Sequence, residues 1–136
     1  MSEPLEAMRE RMSERLPGIF GMELLEVERG RVSGRIALRA EFMAPNEFVH
    51  AGTVVTLGDT CCGIGCRSTL DEGESFTTVE LKSNFLRSAS ADDALSCEAT
   101  MTHGGRTTQV WDAVVTRESD GKQLALFRCT QYLLKA

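Results

Sequence analysis

The chain has 136 residues, 42% of them hydrophobic, with a net charge of -5 and five cysteines. That size fits a single domain, residues 1–136, with a core of its own. An acidic balance without a long basic run argues against nucleic acid as a partner. No apolar run is long enough to span a bilayer, and the charged N-terminus lacks a secretory core segment, so the expected location is the cytoplasm, away from membranes.

Leu5, Met8, Met12 and Leu16 recur at helical spacing, which predicts an amphipathic helix over residues 3–16, ended by Pro17-Gly18. Residues 22–38 change period. Met22, Leu24, Leu25 and Val27 lead to Arg29-Gly30-Arg31, and Val32, Gly34, Ile36 and Leu38 then alternate, which reads as a β-hairpin. After a loop holding Pro45-Asn46 comes a predicted helix over residues 50–70. Asp71-Glu72-Gly73-Glu74 is a turn. Strands follow over 76–86, 95–103, 107–117 and 122–134, the last two joined at Asp120-Gly121. Six β segments, all or mostly antiparallel, would wrap one long helix in an α+β layer, with the N-terminal helix outside it. Trp111, in a strand, reads as core.

The helix over 50–70 is almost wholly apolar or small, apart from Asp59. Such a helix must be enclosed on more than one side, and a lone acid inside it needs a reason. Val54, Leu57, Cys61, Ile64 and Ser68 form one stripe, a surface for packing on the sheet. Gly52, Val55, Asp59, Cys62 and Cys66 form another, which one sheet cannot also cover. A second subunit, with helices meeting near Gly52, Gly58, Gly63 and Gly65, is one cover; the N-terminal helix is the rival. Three of the five cysteines (Cys61, Cys62 and Cys66) lie in this helix, with Cys97 and Cys129 elsewhere. No disulfide is expected from this arrangement, and no metal, since no second Cys or His pair follows at ligand spacing.

At the helix N-terminus, Ala51 and Gly52 carry free backbone N–H groups at the positive end of the dipole, suited to developing negative charge in acyl transfer. Asp59 then reads as a general base on water or as a direct nucleophile, or else as a buried carboxylate satisfied by hydrogen bonds. His50 either orients water or substrate, or caps the helix; Asn46 does the same or is a turn residue. Gly52 and Asp59 lie two turns apart, roughly 10 Å along the axis, too far to act on one carbonyl. An antiparallel partner helix would join the N-terminus of one subunit to Asp59 of the other.

The run Asn46-Glu47-Phe48-Val49-His50-Ala51-Gly52, followed by Leu57-Gly58-Asp59, resembles the signature of hotdog-fold acyl-CoA thioesterases, in particular the PaaI-like and THEM2-like group. The similarity runs over nearly the whole chain. Residues 78–87 resemble the family's central strand, His103-Gly104-Gly105-Arg106-Thr107 its later hairpin and Asp120-Gly121-Lys122 its last turn. One departure is Ala51, where the family's usual motif reads His-Gly-Gly; a backbone donor survives the change.

The resemblance implies a hotdog fold and hydrolysis of an acyl-CoA thioester to free acid and CoA, with no cofactor, since CoA is part of the substrate. It implies a homodimer or dimer of dimers. By the same resemblance Asp59 is the catalytic carboxylate, Ala51 the donor to the thioester carbonyl, His50 and Asn46 its neighbours, and Thr78 a hydroxyl that places water. Gly105 and Arg106 match a turn near the CoA arm, where Arg106 or Arg87 would meet phosphate. Strict alternation instead puts Thr77 on the side of Val79 and Leu81, and Arg87 and Arg106 read equally well as solvated strand-end charges. The alternative from another class is a non-catalytic acyl-CoA or lipid-binding hotdog module, which has no need of an acid at position 59.

Overall fold

The computed structural model of the protein describes residues 3–135. Helix α1 spans Leu5–Ser13 and a short α2 spans Leu16–Ile19. Strands β1 (Glu23–Glu28) and β2 (Arg31–Ala37) form the expected hairpin, with Gly30 at φ 82° in its turn. The long helix α3 covers Ala51–Ser68. Strands β3 (Ser75–Phe85), β4 (Ala94–Gly104), β5 (Thr108–Arg117) and β6 (Gln123–Leu134) follow. All five pairings are antiparallel and the sheet order is β1-β2-β4-β5-β6-β3. This is the hotdog arrangement, a sheet curled around one helix, and β1 and β3 are its edges. Of the described residues, no helix is long and apolar enough to cross a membrane.

The N-terminal helix is shorter than its apolar period predicts. It stops at Ser13, and Pro17 sits in the first turn of α2 rather than beyond the end of α1. A proline tolerates a helix start because that N–H is unpaired there anyway. Leu16 leaves the stripe and is 57% exposed, while Met8 and Met12 join the core. Arg9 fastens α1 to the sheet edge by donating from Nε and Nη2 to the Leu24 carbonyl at 3.0 and 2.8 Å. A bulge between Leu24 and Glu26 explains the adjacent leucines: Leu24 is buried and Leu25 exposed.

The faces of α3 fall differently from the two predicted stripes. Val54, Leu57, Gly58, Cys61, Cys62, Gly65 and Cys66 are buried. Cys62 and Cys66 therefore belong to the sheet side, and the half-buried Ile64 shares the other side with Asp59. Gly58 and Gly65 face the sheet rather than a second helix. A methyl at Gly58 would press on the Phe127 ring and one at Gly65 on the Trp111 indole. They are small because the sheet places large rings against them. The rival cover is the one found within the chain: Met8 and Met12 of α1 face the Asp59 side.

Candidate active site

Asp59 lines a cavity of about 400 Å³ between α1, α3 and β3, shared with Met8, Met12, Gly63, Phe76 and Thr78. Its Oδ1 is buried and has no hydrogen-bond partner among the described residues. An unpaired carboxylate oxygen in such a place is costly. Burial accordingly raises the Asp59 carboxyl above its ordinary value. The satisfied-carboxylate reading of Asp59 is thus not what the fold shows.

Thr78 reaches this cavity through an irregularity. A bulge between Thr78 and Glu80 shifts the register of β3 on β6 by one residue, so Thr78 opposite Gln131 and Leu81 opposite Cys129 share the inner face. Strict alternation is broken there, and Thr77 points to the exposed side. The Thr78 hydroxyl donates to Gln131 Oε1 at 2.6 Å, and Gln131 is fully buried. With its proton so held, the Thr78 oxygen offers its lone pairs to the cavity.

The helix N-terminus lies elsewhere. A loop closed by the Met43–Val49 bridge delivers His50 as the N-cap of α3, and its Nδ1 accepts the Gly52 N–H at 2.8 Å. The capping reading of His50 is therefore the one realised, and Gly52 is corrected as a carbonyl donor because its N–H is already taken. The Ala51 N–H has no acceptor among the described residues. Asn46 is exposed, and its Oδ1 accepts the Phe48 N–H at 3.3 Å as a turn residue. Ala51 and Arg87 line a separate cavity of about 370 Å³ with Phe85 and Leu86. The Arg87 Nη1 donates to the Gln123 carbonyl at 2.6 Å. Gly105 and Arg106 form the β4–β5 turn, with the Gly105 N–H on the Thr108 carbonyl at 2.8 Å. That turn is at the opposite end of β5 from Arg117, which donates to the Ser88 carbonyl beside Arg87. Within one chain, then, Asp59 and Thr78 meet, Ala51 and Arg87 meet, and the two groups remain apart.

The thioesterase superfamily profile matches residues 46–123, more than half of the chain and the stretch that holds Asn46, His50, Asp59, Thr78 and Arg106. The chain belongs to the thioesterase superfamily. It is 29% identical over 111 residues to a 1,4-dihydroxy-2-naphthoyl-CoA hydrolase of Listeria monocytogenes, covering 82% of this chain and 89% of that one. It is 26% identical over 109 residues to the acyl-coenzyme A thioesterase PaaI of Escherichia coli, covering 80% and 75%. A crystal structure of a thioesterase from Haemophilus influenzae superposes with a TM-score of 0.90 at 21% identity, over 99% of this chain and 93% of that one. The chain is thus a hotdog-fold thioester hydrolase, as its motifs led us to expect.

In this thioesterase the five cysteines are buried free thiols. Hydrogen bonding with Cys97 raises the Cys61 thiol, hydrogen bonding with Cys129 raises the Cys62 thiol, and burial pushes Cys66 up to about 12. None of these three is a candidate nucleophile at neutral pH. The sequence pattern does not single out Gln131, Gly63 or Arg67. Gln131 betrays itself only once the inward phase of β6 is known, and Gly63 and Arg67 only by standing four and eight residues after Asp59.

Proposed function

We propose that this chain hydrolyses acyl-CoA thioesters to free acid and CoA, at a site built by two copies, with Asp59 as general base. The observation that carries the reading is the Asp59 carboxylate, with one oxygen unpaired, in a cavity it shares with the Thr78 hydroxyl. A water there gives one hydrogen to Asp59 and the other to the Thr78 oxygen, whose own proton is spent on Gln131. Its lone pair is left for the thioester carbon. As Asp59 takes the proton, charge gathers on the carbonyl oxygen and is met by a backbone N–H. The tetrahedral intermediate then expels the CoA thiolate.

The donor comes from the second copy. Strand β3 is an edge of eleven residues with Val79, Leu81 and Phe85 exposed along it, and Leu86 exposed just beyond. Unpaired edges of this kind invite another strand. Antiparallel pairing of two β3 edges would set the Ser75 end of one beside the Phe85 end of the other. The partner's Ala51 would then approach Asp59, and the partner's Arg87 would share one end of the dimer with Gly105 and Arg106. In such a dimer those residues would meet the CoA arm, and there would be two such sites.

Thiol release from a panel of acyl-CoAs, comparing wild type with Asp59→Asn, tests the reading. Hydrolysis by wild type and a drop of about 10²–10⁴ in kcat for the variant are expected. Equal release by both proteins, or none by either, defeats it in favour of a binding module. A single turnover in ¹⁸O-water should label the product acid and leave Asp59 unlabelled; label in Asp59 would make it the nucleophile.

A further inference from the structure

The Asp59 cavity has a charged far end that hydrolysis does not use. Asp59, Gly63 and Arg67 stand at i, i+4 and i+8 on one face of α3, so Arg67 lies roughly 12 Å along the axis from Asp59. Gly63 leaves the floor open between them, with the tip of the Phe76 ring 3.3 Å from where a methyl would sit. Met8, Met12, Ile64 and Phe76 supply apolar walls. Arg67 donates to two backbone carbonyls, Glu74 at 2.6 Å and Asp71 at 3.2 Å, which hold it in place, and the Glu74 carboxylate, itself paired with Lys135, feels its charge from outside the cavity lining. Arg11 and Arg15 also line the cavity; Arg11 is paired with Glu3, and among the described residues Arg15 donates to the Glu14 carbonyl alone. Three arginines thus line a cavity in which, among the described residues, Asp59 is the one carboxylate.

We infer that the acyl group carries a carboxylate at the end remote from the thioester, and that Arg67, with Arg15 at the rim, selects it. This rests on the hydrolase reading above and names the substrate class of the same site. A thioester carbonyl held at Asp59 leaves room along Gly63 for one aromatic ring or a short alkyl chain before the Arg67 guanidinium. Guanidinium is the side chain suited to a planar carboxylate, because its fork makes two parallel hydrogen bonds. A neutral acyl group of the same length would gain nothing from these cations.

The test uses matched substrates: hexanoyl-CoA against its ω-carboxy analogue adipoyl-CoA, and benzoyl-CoA against 4-carboxybenzoyl-CoA. Wild type should favour the carboxylated member of at least one pair by about tenfold or more in kcat/KM, and the pair that shows it tells a ring from a chain. Arg67→Gln should erase most of that ratio and Arg67→Lys should restore part of it. Arg15→Glu, at an exposed position that tolerates change, should lower the ratio independently of any effect of Arg67 on folding. A wild type that prefers or equally accepts the neutral members overturns the inference while leaving the hydrolase reading intact. So does an Arg67→Gln protein whose inhibition by free CoA weakens in step with both members of a pair, since the arginine would then be holding CoA phosphate. No hydrolysis of any acyl-CoA overturns both readings.

Discussion

Gly63 and Gly65 stand two residues apart in α3, and the same substitution at each should act in opposite directions. Either change to Ala gains about 1 kcal/mol of helix propensity. At Gly65 the new methyl would lie 2.4, 2.6 and 2.9 Å from three carbons of the Trp111 indole. Ordinary carbon contacts are ~3.5–4.0 Å, so a relief of about 1 Å is needed. The indole cannot easily supply it: Trp111 is fully buried, its Nε1–H is bonded to Gln109 Oε1 at 2.7 Å, and Gln109 is itself bonded to Thr69 at 2.8 Å. Overpacking costs ~1–3 kcal/mol, and a ring fixed in this way puts Gly65→Ala near the top of that range. The net loss is about 2 kcal/mol, or a fall in Tm of about 6 °C for a chain of this length. At Gly63 the nearest atom is the tip of the half-buried Phe76 ring at 3.3 Å, which can swing away. Gly63→Ala should therefore be neutral to about 0.5 kcal/mol more stable. Its methyl would nonetheless stand in the floor of the Asp59 cavity, so kcat/KM on aromatic acyl-CoAs should fall more than on acetyl-CoA. Thermal unfolding at one fixed protein concentration, with thiol release on both substrates, measures all of this. A Gly65→Ala protein as stable as wild type, or a Gly63→Ala protein that melts lower than it, would refute the reasoning.

Because burial raises the Asp59 carboxyl, the acid limb of kcat/KM should lie above the ordinary aspartate range, with activity rising as the group ionises; a limb at or below that range contradicts the burial. The same shift means that the stability gained from the protonated form is present below the unfolded-state value and is lost as pH rises through the folded one. Asp59→Asn should consequently melt higher than wild type at neutral pH, with the gap closing in acid. His50→Ala removes the acceptor for the Gly52 N–H and should cost about 1 kcal/mol, read by urea unfolding; an unchanged midpoint would show that the cap is not made. Lysines at Val79 and Leu81 together should block the β3 edge, giving a folded monomer by sedimentation that releases little thiol. An active monomer would remove the second copy from the site.

Much of the fold is visible in the residue pattern because each element carries its own local signal. Gly30, Gly73 and Gly121 all adopt positive φ in the turns their neighbours predict, and the alternating strands begin and end within a residue or two of their periods. Asp59 stands out for the same reason, as one charge in an apolar helix. What stays hidden depends on partners distant in sequence. A glycine in α3 looks the same whether it makes room for Trp111 in the sheet or for a second helix. Leu16 keeps helical spacing with Met12, but Ser13 ends α1 and Pro17 starts a new turn. Thr78 is masked because the extra residue at Val79 inverts the phase of the strand that follows. Arg67, at the end of a helix, resembles any favourable C-terminal cation until the cavity beneath it is seen.

The bulge in β3 also separates two jobs that a regular strand would tie together. Ahead of it, Phe76 and Thr78 line the Asp59 cavity; after it, Leu81 and Phe85 lie exposed along the sheet edge. In an unbroken pleat, a slip that improved one half would turn the other inside out. With a spare residue between them, each half keeps its own alignment on β6. The cavity wall and the exposed edge can then drift independently along a single stretch of chain.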